Sequence, residues 1–281
     1  FPPELLLAKI SLKEVKENAE FVKNMKEKKL ETPKKALWII PDFRNILAGG
    51  IRTVFIVAEE FSRSWNTQNI FVIQQTSSKP KDYTNEQFFI KKYFPKLNFQ
   101  LIPFNLKQDV KSIPQTDIAF CSSWPTAYLL ARYNDCKAKF YFMQDYESLF
   151  YPAGSLQGTI EQTYRFGFHC IANSLGIAEK YKQYGGNVTY FTPGVDRSIY
   201  YPKPSNHEGP PWQVVFYGRP RNKRNAFALG IETLKIVKSH LKEDVKIVSV
   251  GSKWKPKWYG VENVIDNLGV LDSMEKVAQL Y

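Results

Sequence analysis

The sequence predicts an α/β chain built from two Rossmann-like parallel-sheet units. Three observations predict it. Short, continuous apolar runs alternate with segments of helical periodicity, the pattern of a parallel sheet covered on both faces. The alternation breaks at 201–211, where four prolines and a glycine fall within eleven residues. Beyond that break a strand-like run and a helical pattern begin again.

The N-terminal segment 1–35 is expected to be a helical extension. It is rich in both Lys and Glu, and Ile10, Val15, Phe21, Val22 and Met25 recur at roughly helical spacing. That pattern fits a solvated helix packed on the body by one stripe. A membrane-surface helix fits less well, because acids interrupt the basic face. The first parallel-sheet unit spans 36–200. Its strands are expected at 36–40, 69–74, 99–104, 117–121, 139–143, 169–172 and 188–191. Its helices are expected at 51–63, 125–133, 160–167 and 175–184. Residues 201–211 read as a linker. The second unit, 212–281, offers strands at 212–217, 245–250 and 263–268, a helix at 226–239 and a final helical stretch after the third strand. Doubly wound domains usually hold five or six strands, so this unit is expected to be incomplete as given.

At 281 residues and 43% hydrophobic, the chain has material for two cores. No apolar run reaches the roughly 18 residues that suggest a membrane-spanning helix. The start, Phe1-Pro2-Pro3-Glu4, lacks an initiating Met and a signal-peptide pattern. Cys121, Cys136 and Cys170 match neither zinc spacing nor a redox pair, and read as reduced thiols of a cytoplasmic protein. His169, His207 and His240 are scattered, so no metal site is expected. The net charge of +12 favours anionic partners: nucleic acid, anionic lipid or phosphorylated substrates.

The most informative stretch runs from Phe216 to Asn225. A strand, a turn at Gly218 and a helix start together make an anion site, because helix N–H groups and the helix dipole both favour negative charge. Arg219, Arg221, Lys223 and Arg224 lie in that turn. One phosphate needs one or two such cations, so a diphosphate is the natural guest. In the first unit, Gly49-Gly50 lie between a strand and a helix, where glycine lets the backbone approach a bulky ligand. Arg52 adds a charge nearby. Gln144-Asp145-Tyr146-Glu147 follow another strand. Asp145 is placed to hydrogen-bond sugar hydroxyls or act as a base, or merely to cap a turn. Tyr146, Phe150 and Tyr151 offer a face for a sugar ring, although aromatics are equally good core material. Ser122-Ser123 and Asn173-Ser174 read first as helix caps. The dinucleotide fingerprint GxGxxG is absent from both units.

Taken in order, these residues resemble the family 4 retaining glycosyltransferases of the GT-B fold. Gly49-Gly50 follows the first strand, and Ile171-Ala172-Asn173-Ser174 with Tyr181 resembles the family's serine-then-helix segment. Phe191-Thr192-Pro193-Gly194-Val195-Asp196 with Tyr200-Tyr201-Pro202 is similar to its P-N-G-V-D and F-x-P signature, without the intervening Asn. Gly218-Arg219 with Lys223 resembles its donor-phosphate motif, whose Lys commonly stands one residue later, at Arg224. A narrower resemblance, to bacterial rhamnosyltransferases of the WsaF kind, rests on three segments. These are 142–147 with Phe150-Tyr151-Pro152, Glu161 to Gly167, and Gly218-Arg219-Pro220 with 223–227.

The resemblance implies two Rossmann-like domains facing across a cleft, the first for the acceptor and the second for the donor. It implies transfer of a sugar, L-rhamnose from dTDP-L-rhamnose, to a growing surface polysaccharide with retention of configuration. Gly218, Arg219, Lys223, Arg224, Gly49 and Gly50 would hold the donor diphosphate, while Gln144, Tyr146 and Arg52 would serve the sugar side. Asp145 is the candidate catalytic residue. No cofactor is expected beyond the nucleotide sugar, and no metal. The implied partners are that donor and an oligosaccharide or lipid-linked glycan, with peripheral association at the inner face of a membrane and no nucleic acid. An acidic pair beyond Tyr281 would complete the donor pocket. The alternatives are a sugar-nucleotide epimerase or hydrolase of the same fold and, more remotely, a nucleic-acid binder.

Overall fold

The computed structural model describes residues 3–25, 29–46, 49–79, 81–202 and 209–281. The side chain of Lys223 and most of the expected linker, 203–208 with His207, lie outside the described residues. The chain forms two compact units, Phe1–Pro193 and Gly194–Tyr281.

The first unit begins with α1 (Leu12–Met25) and continues as β1 (Lys35–Pro41), α2 (Gly49–Trp65), β2 (Gln68–Gln74), α3 (Thr84–Tyr93) and β3 (Phe99–Phe104). Then come β4 (Ile118–Cys121), α4 (Trp124–Arg132), β5 (Ala138–Met143), α5 (Ser155–Tyr164), β6 (His169–Ala172), α6 (Leu175–Lys182) and β7 (Val188–Tyr190). All seven strands are parallel, in the order β3-β2-β1-β4-β5-β6-β7. The chain builds outward from β1 to β3, then returns to the other side of β1 and builds outward again. The switch point therefore lies between β1 and β4, where such sheets open a crevice beyond their carboxyl ends.

Alternation along the strands divides the apolar residues between the two faces. Leu37 and Ile39 point to one face, with Ala119, Cys121, Tyr141 and Met143, and are covered by α4 and α6 and by Val22 of α1. Trp38 and Ile40 point to the other, with Phe120 and Phe142, under α2 and α3. Trp38 stacks on Phe120 with ring centres 4.0 Å apart, and its indole N–H donates to Asn69 Oδ1 at 2.8 Å, so its polar edge is satisfied although buried.

The stripe expected on the N-terminal segment does pack on the body. Val22 is buried and Phe21 leans on the same core. Asn18, also buried, donates from Nδ2 to Phe166 O at 3.0 Å and accepts from Lys139 Nζ at 2.9 Å. Lys139 projects from β5 and is fully buried. Its ammonium also reaches Asn134 Oδ1 at 2.8 Å and lies 4.5 Å from the centre of the Phe21 ring. Burial pushes its pKa down to about 7.

The second unit holds β8 (Trp212–Tyr217), α7 (Phe227–Leu241), β9 (Val245–Val250), β10 (Asp266–Gly269) and α8 (Met274–Ala278). Its three parallel strands run in the order β10-β9-β8. Phe227, Ile231 and Leu234 of α7 pack on Val245 and Ile247, with Trp254, Val261 and Ile265 closing the cluster. The third strand starts later than the sequence suggests, because Val264 and Ile265 serve as packing residues before it. In the first unit α3 is a helix that periodicity did not predict, and α5 starts at Ser155 instead of 160.

Candidate functional site

In the first unit a cavity of about 480 Å³ opens at the switch point. Pro41 ends β1 there, Gly49, Gly50 and Thr53 open α2, and Ser122 and Ser123 follow β4. Gln144, Asp145, Glu147 and Phe150 follow β5, and Asn173 follows β6. Gly49-Gly50 form the first residues of α2, and the space beside Gly49 is open. Gln144 Nε2 donates to Gly50 O at 2.8 Å, which ties the β5 turn to the start of α2. Ser123 donates its backbone N–H to Thr126 Oγ1 at 3.0 Å, and Ser174 Oγ accepts from Ile177 N at 3.3 Å, so both serines act at helix starts.

Of the first-unit residues that the sequence suggested for the donor or sugar, Gly49, Gly50, Gln144, Asp145 and Phe150 line this cavity, as do the capping candidates Ser122, Ser123 and Asn173. Asp145 Oδ1 accepts from Tyr146 N at 2.9 Å. Arg52, one turn into α2, is half-buried and is not among the lining residues. Tyr146 turns into a cluster of tyrosines. Its ring lies 5.6 Å from Tyr164, and its hydroxyl meets Tyr184 and donates to Glu161 at 3.3 Å.

The residue that sequence reasoning passed over is Glu147. Its carboxylate accepts the first N–H of α4, from Trp124, at 2.5 Å and the hydroxyl of Tyr141 at 3.0 Å. Burial raises its pKa to about 8, and the Asp145 carboxylate adds to the rise. The two hydrogen bonds pull the other way and do not win. A carboxyl group held above its ordinary range keeps its proton to higher pH, and in that form it can donate a hydrogen bond as well as accept one. The signal available in sequence was its place two residues beyond Asp145. Its partners stand at 124 and 141, and nothing local announces them.

The second unit carries the basic turn. Gly218 follows β8, and its N–H donates to Val250 O at 2.8 Å while its carbonyl accepts from Ser252 Oγ at 2.8 Å. A Cβ at Gly218 would come within 2.3 Å of Ser249 Oγ and 2.9 Å of Trp254 Nε1, so only glycine fits. Both those buried polar atoms lack a hydrogen-bond partner among the described residues. Gly251, at φ +111°, lies as tightly against the Tyr217 ring. Arg219 is exposed, with Nη1 donating to Tyr217 OH at 3.3 Å and its guanidinium 5.7 Å from that ring's centre. Arg221 and Arg224 are exposed too. Asn222 N donates to Arg219 O at 2.9 Å, and Ala226 takes a left-handed conformation immediately before α7. Gly218 and the exposed Arg219, Arg221 and Arg224 thus lie in the segment between β8 and α7.

Residues 212–281 match the family described as WsaF, C-terminal domain. The chain is 34% identical over 248 residues to the O-antigen biosynthesis protein RfbC of Myxococcus xanthus, a match that covers 88% of this chain. The chain spans only 19% of that relative's length. A glycosyltransferase from Rickettsia africae ESF-5 has a similar structure, with a TM-score of 0.52 at 15% identity, over 87% of this chain and 70% of that one. At that identity the likeness concerns the fold, that of GT-B-like Rossmann units. The chain is therefore WsaF-like in the sequence of its second unit and glycosyltransferase-like in fold.

Proposed function

We propose that the chain takes part in transferring a sugar from a nucleotide-sugar donor to a glycan in the making of a surface polysaccharide. The observation that carries this reading is the turn between β8 and α7. It places exposed Arg219, Arg221 and Arg224 at a helix start, inside the segment that matches the WsaF C-terminal domain. Negative charge on a leaving diphosphate grows as the glycosidic bond breaks. Cations held there act most strongly in the transition state. Lys223 belongs to the same set by sequence, and these side chains take the part a metal ion has in other transferases. The name of the Myxococcus relative, an O-antigen biosynthesis protein, supports a polysaccharide as the product.

The finer reading is L-rhamnose from dTDP-L-rhamnose, transferred with retention. The first-unit cavity takes the sugar acceptor, with Asp145 hydrogen-bonding or deprotonating its hydroxyl and Gln144 fixing the α2 turn beside it. Titration calorimetry with dTDP, UDP and GDP tests the donor assignment. Arg219→Ala removes a charge-assisted contact and is expected to weaken dTDP binding roughly ten- to a hundredfold without changing the melting temperature. Unchanged affinity would remove the diphosphate from this turn, and equal affinity for the three nucleotides would remove dTDP as the preferred donor.

A further inference from the structure

The N-terminal helix, with three lysines and three glutamates, fits a membrane surface poorly by sequence, and α1 gives its apolar stripe to the protein core. One outward-facing apolar group lies on α3. One side of this helix is anchored, since Glu86 and Ile90, with Tyr83 and Phe94 at its ends, are buried at helical spacing. The other side carries Phe88, 64% exposed, with Phe89 at 43% and Tyr93 at 44%. These rings form one group. Phe88 meets Phe89 edge-on with centres 5.5 Å apart, and Phe89 stacks on Tyr93 at 6.4 Å. Lys92 Nζ lies 5.6 Å from the Tyr93 ring centre, and Lys91 and Lys96 are exposed beside it.

Of the acids of the same stretch only Glu86 is turned inward; Asp82 stays exposed at the helix start. Asp82 accepts the N–H and the hydroxyl of Thr84 at the helix start. Glu86 is buried and paired with Arg44 at 2.9 Å. The outward side also carries a trio of aromatic rings fringed by lysines. Rings of this kind settle at the boundary of lipid headgroups and acyl chains, and lysines reach from there to lipid phosphates. No helix among the described residues is long and apolar enough to cross a membrane, so such contact is peripheral.

We propose that α3 is a membrane-contacting face: Phe88, Phe89 and Tyr93 enter the headgroup region of an anionic bilayer, and Lys91, Lys92 and Lys96 bind its phosphates. The charge complementarity selects lipid over a second copy of this chain, whose own α3 would bring lysines against lysines. The inference does not depend on sugar transfer, and its test uses no nucleotide.

Co-flotation of the full chain decides it, with vesicles of phosphatidylcholine alone and vesicles in which about one lipid in three is phosphatidylglycerol. Binding is expected only to the second kind, and to fall as salt rises. Lys91→Gln with Lys92→Gln should weaken it about fivefold for each lysine. Phe88→Ser with Phe89→Ser should weaken it about tenfold or more. Both pairs are exposed, so the melting temperature should not move, and Lys16→Gln on α1 should leave binding unchanged. Equal binding to both vesicles, binding to neither, or full binding by either double variant would overturn the proposal. So would a dimer in sedimentation that Phe88→Ser with Phe89→Ser abolishes, since the face would then belong to a second copy.

Discussion

Lys139 is buried and Glu147 is half-buried in the wall of the cavity, and the two push stability in opposite directions with pH. The Glu147 carboxyl, raised by burial to about 8 from an ordinary 4.5, keeps its proton in the folded chain where the unfolded chain loses it. Between those values the folded state binds more protons, so stability falls as pH rises. Lys139 is lowered by burial to about 7 from 10.5. Between those values the unfolded state binds more protons, so stability rises with pH. The contribution of these two groups therefore descends from about pH 4.5, flattens between about 7 and 8, and climbs from there to about 9, above which the raised Cys121 and Cys170 thiols and the buried tyrosines pull stability down again. Glu147→Gln keeps an acceptor for Trp124 N–H and Tyr141 OH but cannot ionise. Urea unfolding of this variant from pH 5 to 9 should lack the descending limb. A descent as steep as in the parent chain would mean that Glu147 is not the group that titrates. Gly49, Gly50, Gln144 and Asp145 were legible because strand ends and glycine turns show in sequence. Glu147 was not, because its chemistry comes from a helix N–H at 124 and a phenol at 141.

At the scale of elements, legibility follows continuous apolar runs and not burial, since Trp212–Tyr217 has no buried residue. The strands Phe99–Phe104, His169–Ala172, Trp212–Tyr217 and Val245–Val250 coincide with their expected bounds. Helix α3 escaped notice for the opposite reason. It buries Glu86 and exposes Phe88, Phe89 and Tyr93, so its apolar period is scrambled. Helix α1 was read correctly as a packed stripe, but what locks it is polar. Asn18 bridges Lys139 of β5 and the carbonyl of Phe166, and Glu14 accepts from Arg132 Nε of α4 at 2.9 Å. Asn18→Ala should leave a buried ammonium and a carbonyl short of a partner, at a cost of about 1–3 kcal/mol. Lys139→Met replaces the ammonium by an apolar chain of similar length. It leaves Asn18 Oδ1 and Asn134 Oδ1 without a donor, a cost that offsets the relief of the buried charge below pH 7, and it should abolish the climb in stability at higher pH. Denaturant titration of both variants at pH 6 and 9 tests the lock. Equal losses in both at either pH would assign the effect to packing alone.

At the scale of the whole molecule, the two units differ in what holds them. The first has seven strands with a buried cluster on each face; the second has three strands and one cluster around Phe227, Ile231 and Trp254. A core of that size supplies only a few kcal/mol. The second unit should therefore unfold first, as a separate transition at lower temperature. The diphosphate is assigned to that same unit, at the turn where Gly218 packs against Ser249 and Trp254. A nucleotide that binds the folded form at about a hundred times its Kd adds about 2.7 kcal/mol. That is a large fraction of what the small core contributes, so calorimetry with saturating dTDP should show the lower transition moving upward by several degrees. Gly218→Ala forces its methyl group onto Ser249 and Trp254. It should lower the same transition and blunt the nucleotide's effect, leaving the upper transition in place. If dTDP instead raises only the upper transition, its binding energy resides in the first unit, and Arg219 with its neighbours is a solvated basic turn.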